Sequence, residues 1–135
     1  MGALEPLGRR AGRRSLQAGS RADERERFPE AIATFTRIVE LKPDFAEGWN
    51  KRATAYYLAG EYRRSLKDCD EVLRRNPQHF GALSGYGQIY LRLDQPEKAL
   101  EYFRRALAVN PNLEGVQSAI GELESLIVRR RQRSI

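Results

Sequence analysis

The sequence predicts an all-α solenoid of stacked helix-turn-helix repeats, and three observations carry that prediction. Pro43, Pro77 and Pro111 stand 34 residues apart, each in a matching phrase: Leu41-Lys42-Pro43-Asp44, Arg75-Asn76-Pro77-Gln78 and Val109-Asn110-Pro111-Asn112. Upstream of each proline lies the same amphipathic pattern: Ala31, Ile32, Phe35 and Ile38; then Ser65, Leu66, Cys69 and Val72; then Ala99, Leu100, Phe103 and Ala106. Strand signals, meaning alternating β-branched runs between turn residues, are absent. One helical hairpin cannot bury its own apolar stripe, so such units must stack on one another.

The chain opens with a basic segment, residues 1–27, in which seven arginines face four acids. Met1 to Ser20 is nearly acid-free and resembles an organelle transit peptide, although Glu5, Pro6 and the lack of a serine-rich tract speak against that. No apolar stretch of the secretory kind is found in it, and Pro6 stands where myristoylation wants Ser or Thr. Arg21 to Arg27 is charged nearly all round, so as a helix it would be marginal, and residues 1–27 are expected to be poorly ordered.

The repeats then follow as 12–45, 46–79 and 80–113. In each, small or apolar residues recur at three- and four-residue steps, which places them on one helical face. Each proline ends its helix, because it lacks an N–H and turns the preceding residue away from α geometry. After the last repeat, residues 114–128 bring Val116, Ile120, Leu123 and Ile127 onto one face, with glutamates opposite. They form the capping helix that an open array needs. Residues 129–135 make an arginine-rich tail. The expected core includes Phe35, Ile38, Trp49, Tyr56, Leu66, Leu73, Leu83, Tyr90, Phe103 and Leu107.

The net charge of +6 belongs to the ends, because residues 28–128 hold 13 basic and 14 acidic side chains. A folded surface built to grip phosphates would carry the basic stripe itself. No apolar run reaches the roughly 18 residues of a membrane span. Cys69 is the only cysteine, which excludes an internal disulfide and fits a reducing, cytoplasmic setting. His79 is the only histidine, expected to be exposed in a turn, so neither a Cys–His pair nor a zinc set can be assembled. Gly81, Gly85 and Gly87 lie on a helix without a flanking strand or lysine, unlike a phosphate loop. No catalysis, cofactor or metal is expected.

The repeats resemble those of the tetratricopeptide-repeat (TPR) family, whose signature runs large residue, Leu-Gly, Tyr, Ala, aromatic, Ala, Pro. The third repeat offers Leu83, Tyr86, Gly87, Tyr90, Ala99, Phe103, Ala106 and Pro111 in that order. The second offers Trp49, Arg52, Ala53, Tyr56, Ser65, Cys69, Val72 and Pro77. The first keeps Ala31, Phe35, Ile38 and Pro43, but its leading helix holds only Gly19 on pattern, with Ser15 and Ala22 at the large and Tyr positions. The resemblance therefore implies a right-handed solenoid of three repeats, the first incomplete.

It also implies that the first helix of each repeat lines a concave groove that binds a partner peptide or helix. The groove-facing positions fall on Glu47, Asn50, Lys51, Thr54, Tyr57 and Leu58, then on Gly81, Ser84, Gly85, Gln88, Leu91 and Arg92. The capping helix adds Gly115, Ser118, Ala119 and Glu122. Family members that hold chaperone C-terminal carboxylates use a clamp of Lys, Asn and Arg. The corresponding positions here hold Leu16, Ser20, Lys51, Gly81 and Gly85, so chaperone tails are not the implied partner. The expected function is a protein-interaction adaptor. The alternatives are an RNA-associated or anionic-surface-binding factor using Arg129, Arg130, Arg131 and Arg133, or a piece of a longer repeat protein.

Overall fold

The structure, a computed structural model, describes residues 20–134, with side chains from Arg27 onward. Six helices make up the described residues, with no strand among them: α1 (Ser20–Leu41), α2 (Ala46–Leu58), α3 (Tyr62–Arg75), α4 (Phe80–Arg92), α5 (Pro96–Val109) and α6 (Glu114–Arg133). Consecutive helices pack side by side, and α2 also touches α4 across the concave face. The fold is therefore an all-α helical repeat, as the proline spacing predicts.

The connections repeat along with the helices. Gly60 ends α2 at φ +81°, and Asp94, one repeat later, takes the equivalent left-handed turn at φ 55°. Glycine has no Cβ to clash there, and aspartate is among the few other residues that tolerate the region. At the opposite edge, Asn76 and Asn110 fold their side-chain oxygens onto the N–H groups of Gln78 and Asn112, both at 3.2 Å, each stabilising a proline turn. Trp49 Nε1 donates to the Pro43 carbonyl at 2.9 Å, and Gln117 Nε2 does the same to Pro111 at 2.8 Å. Each such bond pins a new repeat to the turn before it.

The fully buried positions are mostly small: Ala53, Ala82, Ala99, Ala106 and Ser65 lie between helices with at most 2% exposure. Phe103, Leu83, Ile89, Val72 and Cys69 fill the space between them. Of the expected core, Leu83 and Phe103 are buried, whereas Phe35, Ile38, Trp49, Tyr56, Leu66, Leu73, Tyr90 and Leu107 are half-buried. In a layer only two helices thick, a long side chain that starts in the core ends at the rim. Small residues are what allow the helices to approach.

Two helices run past the sequence-drawn boundaries. α1 begins at Ser20, ahead of the 27/28 boundary, and carries Pro29 inside it. Residues 1–19, including Ser15, Leu16 and Gly19 of the expected leading helix, lie outside the described residues. α6 continues from the expected end at 128 to Arg133. Arginine is a good helix former, and cations in a last turn complement the negative helix end, so Arg129 to Arg133 extend the helix instead of leaving it.

Candidate functional site

A cleft of about 230 Å³ opens on the concave side between α2 and α4. Asn50, Thr54 and Tyr57 wall it from α2, spaced so that they share one helical face. Ser84 and Gln88 wall it from α4, and Gly81 and Gly85 leave room between them. The floor is Ala53, Cys69 and Ile89 with the Ser65 hydroxyl, which donates to the Ala53 carbonyl at 2.7 Å. Its walls are uncharged amides, hydroxyls and one phenol over an apolar base. A Cβ built on Gly85 would sit 3.5 Å from Cys69 Sγ, an ordinary contact, so packing does not demand glycine there. Its effect is to keep the cleft open.

At one end the cleft joins a second hollow lined by Glu47, Asn50, Asn76, Gln78, His79, Phe80 and Gly81. Here the expectation of an exposed His79 is corrected: its side chain is only 17% exposed. His79 Nδ1 accepts from the Ala82 N–H at 3.0 Å and caps α4. The neutral ring then carries its proton on Nε2, which faces Glu47 Oε1 at 3.3 Å, while Asn50 Nδ2 donates to the same oxygen at 3.0 Å. Glu47 is thus held by two neighbours. Sequence reasoning missed this because histidine is not among the usual capping residues.

The remaining groove positions are spread out. Lys51 is exposed on α2, and Leu58 and Leu91 are 54% and 38% exposed near the far end of the cleft. Arg92 Nε donates to the Tyr57 hydroxyl at 3.0 Å, and its guanidinium lies 5.9 Å from the Tyr57 ring. Gly115, Ser118, Ala119 and Glu122 lie on α6, outside the cleft. Arg129, Arg131 and Arg133 are exposed along the end of α6, and Arg130 pairs with Asp94 at 2.9 Å. Leu16 lies outside the described residues.

Cys69, beneath the cleft, is 2% exposed, as the buried stripe predicts. Burial pushes its thiol up to about 12, and the nearby Asp68 and Asp70 carboxylates push the same way, so it stays protonated and unreactive. The one buried carboxylate among the described residues, Asp68, accepts a bidentate pair from Arg52 at 2.8 Å for both bonds. Arg52 also reaches Thr36 Oγ1 at 3.2 Å and lies over the Trp49 and Tyr56 rings, so it ties α1, α2 and α3 together away from the cleft. Nothing in the repeat pattern signals it: the family signature has an apolar residue at position 52. Among the described residues no group of three His, Cys, Asp or Glu side chains is arranged to hold a metal, and no helix is long and apolar enough to cross a membrane.

The tetratricopeptide repeat family profile matches residues 16–70 and 51–114 of the chain. A TPR repeat-containing protein of Rhizobium etli is 34% identical over 86% of this chain and 57% of its own length. Hsp70-Hsp90 organizing protein 1 of Glycine max is 23% identical over 79% of this chain and 19% of its own. The chain therefore spans only part of the length of these relatives. Among solved structures, the first TPR of Spaghetti (RPAP3), bound to an HSP90 peptide, superposes with a TM-score of 0.72 at 20% identity, covering 88% of this chain and 89% of that one. The Sgt2 TPR domain of Aspergillus fumigatus superposes with a TM-score of 0.74 at 18% identity, covering 86% and 78%.

Proposed function

Because the chain belongs to the tetratricopeptide-repeat family, we propose that it is a protein-interaction module, not an enzyme, and that its α2–α4 cleft holds a segment of a partner protein. The observation that carries this is the cleft itself: an apolar floor beneath side-chain amides and hydroxyls, with no side chain rising from Gly81 or Gly85 to fill it. Such a surface suits an extended peptide or helix that inserts an apolar side chain and hydrogen-bonds its backbone to Asn50 and Gln88. Relatives carry names that point to Hsp70 and Hsp90, and one superposing structure holds an HSP90 peptide. The carboxylate clamp is not supplied by this cleft, since Gly81 and Gly85 stand at clamp positions and Lys51 is the one cation among them. The ligand proposed here is therefore held without a terminal carboxylate grip. A folded repeat domain over 28–128 and a reducing, cytoplasmic setting, which the lone thiol favours, belong to the same reading.

The test is selection of a phage-displayed peptide library on the full chain, followed by anisotropy titration of the enriched peptides. Asn50→Ala with Gln88→Ala, both at the cleft wall, should weaken the selected peptides by about tenfold or more. Peptides that bind equally well to wild type and to this pair would move the site elsewhere. Enrichment only of sequences requiring a free C-terminal Asp or Glu carboxylate would refute the clamp-free reading.

A further inference from the structure

We propose a second interaction surface, adjoining the far end of the cleft: the edge formed by the α2–α3 turn, the α4–α5 turn and the end of α6, which takes an acidic, leucine-bearing segment of a partner protein.

Three contacts make this edge continuous. Gly60, Glu61, Tyr62, Arg63 and Arg64 share one hollow with Leu93 of the next turn. Arg92, beside Leu93, is bonded to Tyr57 of α2. Arg130 is bonded to Asp94, which brings the end of α6 against the same turn. Arg129, Arg131 and Arg133 flank Arg130 on the last turns of α6, all exposed. In sequence these cations stand in three separate places. The fold gathers them. The opposite edge is mixed: Asp44, Glu47 and Glu114 stand near its turns with Lys42, Arg74 and Arg75, the last two paired with Glu71.

Helix stability explains only part of this charge. Arginines in the last turn of α6 complement the helix dipole, but Arg63 and Arg64 stand in the first turn of α3, where the dipole disfavours cations and where no acid is present. Arg64 has Glu61 at 3.2 Å, whereas Arg63, Arg129, Arg131 and Arg133 make no ion pair among the described residues. Arg63 alone is both placed against the dipole and without an ion pair among the described residues, so neither the helix nor a pairing within the fold accounts for it.

The aliphatic residues of the edge narrow the partner. Leu58 is 54% exposed at the end of α2, and Val128 is 52% exposed on α6 just before the arginines. Nucleic acid would be served by open aromatic faces, yet Tyr57 and Tyr62 are packed on each other with ring centroids 5.6 Å apart. A membrane would be served by an amphipathic helix lying flat, and this edge is a row of turns with a hollow between them. Exposed arginines together with the aliphatic side chains of Leu58 and Val128 fit a segment carrying both Asp or Glu and Leu or Ile, its charges steering the encounter and its methyls adding apolar contact.

The experiment titrates the full chain with a short fluorescein-labelled peptide of interspersed glutamate and leucine, and in parallel with oligouridine and with phosphatidylserine-containing vesicles. Arg63→Glu with Arg131→Glu should weaken peptide binding about tenfold or more. Arg37→Glu with Lys42→Glu, the same charge change away from the edge, should leave it within about twofold, with circular dichroism confirming that both variants fold. Equal weakening by the two pairs reduces the effect to net charge and overturns the proposal. So does tighter retention on oligouridine or vesicles than on the peptide, and so does a peptide that shows no saturable binding at low salt. None of these results depends on the cleft, whose own test uses Asn50 and Gln88.

Discussion

The second and third repeats share one backbone plan and fill it with different chemistry. Arg52 and Asp68 in one repeat correspond, 34 residues later, to Tyr86 and Tyr102 in the other. The first pair is a bidentate ion pair, with both bonds at 2.8 Å, and the second is a pair of stacked rings with centroids 4.4 Å apart and planes 15° from parallel. A parallel exchange occurs one step further along: Ala53 and Cys69 become Gly87 and Phe103. A Cβ on Gly87 would come within 2.6 Å of the Phe103 ring, so the glycine is required by the aromatic opposite it. Where the sulfur is smaller, alanine fits. The repeat fixes the volume that two facing positions must fill together, and leaves open how they divide it.

Breaking the ion pair on one side should give the largest effect. Arg52→Ala strands Asp68, whose side chain is 4% exposed, and should cost about 3 kcal/mol, the lower end for a buried pair because Arg52 itself is 16% exposed. Importing the third repeat's solution, Arg52→Tyr with Asp68→Tyr, should stay within about 1 kcal/mol of wild type, since buried pairs can be replaced by packed apolar groups without loss. Urea denaturation of the three proteins measures this. A double variant as unstable as Arg52→Ala would mean that the two repeats are not interchangeable at this layer.

Next comes the glycine. Gly87→Ala should cost roughly 1–3 kcal/mol through overpacking against Phe103, which is 1% exposed and has nowhere to swing. Its penalty should shrink by about 1 kcal/mol or more in a Phe103→Cys background, which reproduces the Ala53–Cys69 pairing. A double-mutant cycle without coupling would show that the aromatic relaxes and that the close approach is not binding on the sequence.

These pairings also mark where sequence reading succeeds. The 34-residue proline spacing and the apolar steps between prolines are local signals, and they yield the helix order and the buried stripe, Cys69 included. Arg52 and Asp68 are 16 residues apart and stand on different helices, so no periodicity announces their bond, and the repeat signature hides it by having an apolar residue at position 52. His79 reads as a turn residue because its capping role depends on one ring nitrogen meeting Ala82. Asn50, Thr54, Tyr57, Ser84 and Gln88 could be named from the family's groove positions, but the cleft they enclose depends on helix separation, which no spacing rule gives. The ends of α1 and α6 are hard to place from the sequence for a simpler reason: charged residues say little about where a helix stops when most of them are good helix formers.

A smaller effect is expected at the turns. Gly60 and Asp94 occupy the same left-handed position, yet only one of them has a side chain to strain. Gly60→Ala should cost about 1 kcal/mol, because alanine resists φ +81°. Asp94→Gly should fall within about 0.5 kcal/mol of wild type, since relief of the turn offsets the loss of an exposed ion pair to Arg130. Thermal unfolding of both variants tests the asymmetry. A clear loss in Asp94→Gly would assign the Arg130 bond more weight than an exposed pair usually carries.

The mildest probe is chemical and asks whether the cleft floor is as closed as the Phe103 site. Cys69 occupies the position that Phe103 fills, one repeat earlier, and lies directly beneath Asn50, Thr54 and Gly85. Its thiol is raised from 9.0 to about 12, which at pH 8 lowers the thiolate fraction on the order of a thousandfold below that of the unfolded chain. Iodoacetamide should therefore label the native protein only through opening, and label it fully in urea. The sign for stability follows: the folded state favours the neutral thiol, so its contribution is complete below pH 9 and is lost as the pH rises from 9 toward 12. If native Cys69 alkylates at a rate close to that in urea, the floor is open to solvent, and the second repeat would be a looser solution than the third. Labelling that vanishes in Gly85→Leu, whose side chain would cover the thiol from the cleft side, would locate the opening at the cleft and tie the chemistry of the thiol to the geometry above it.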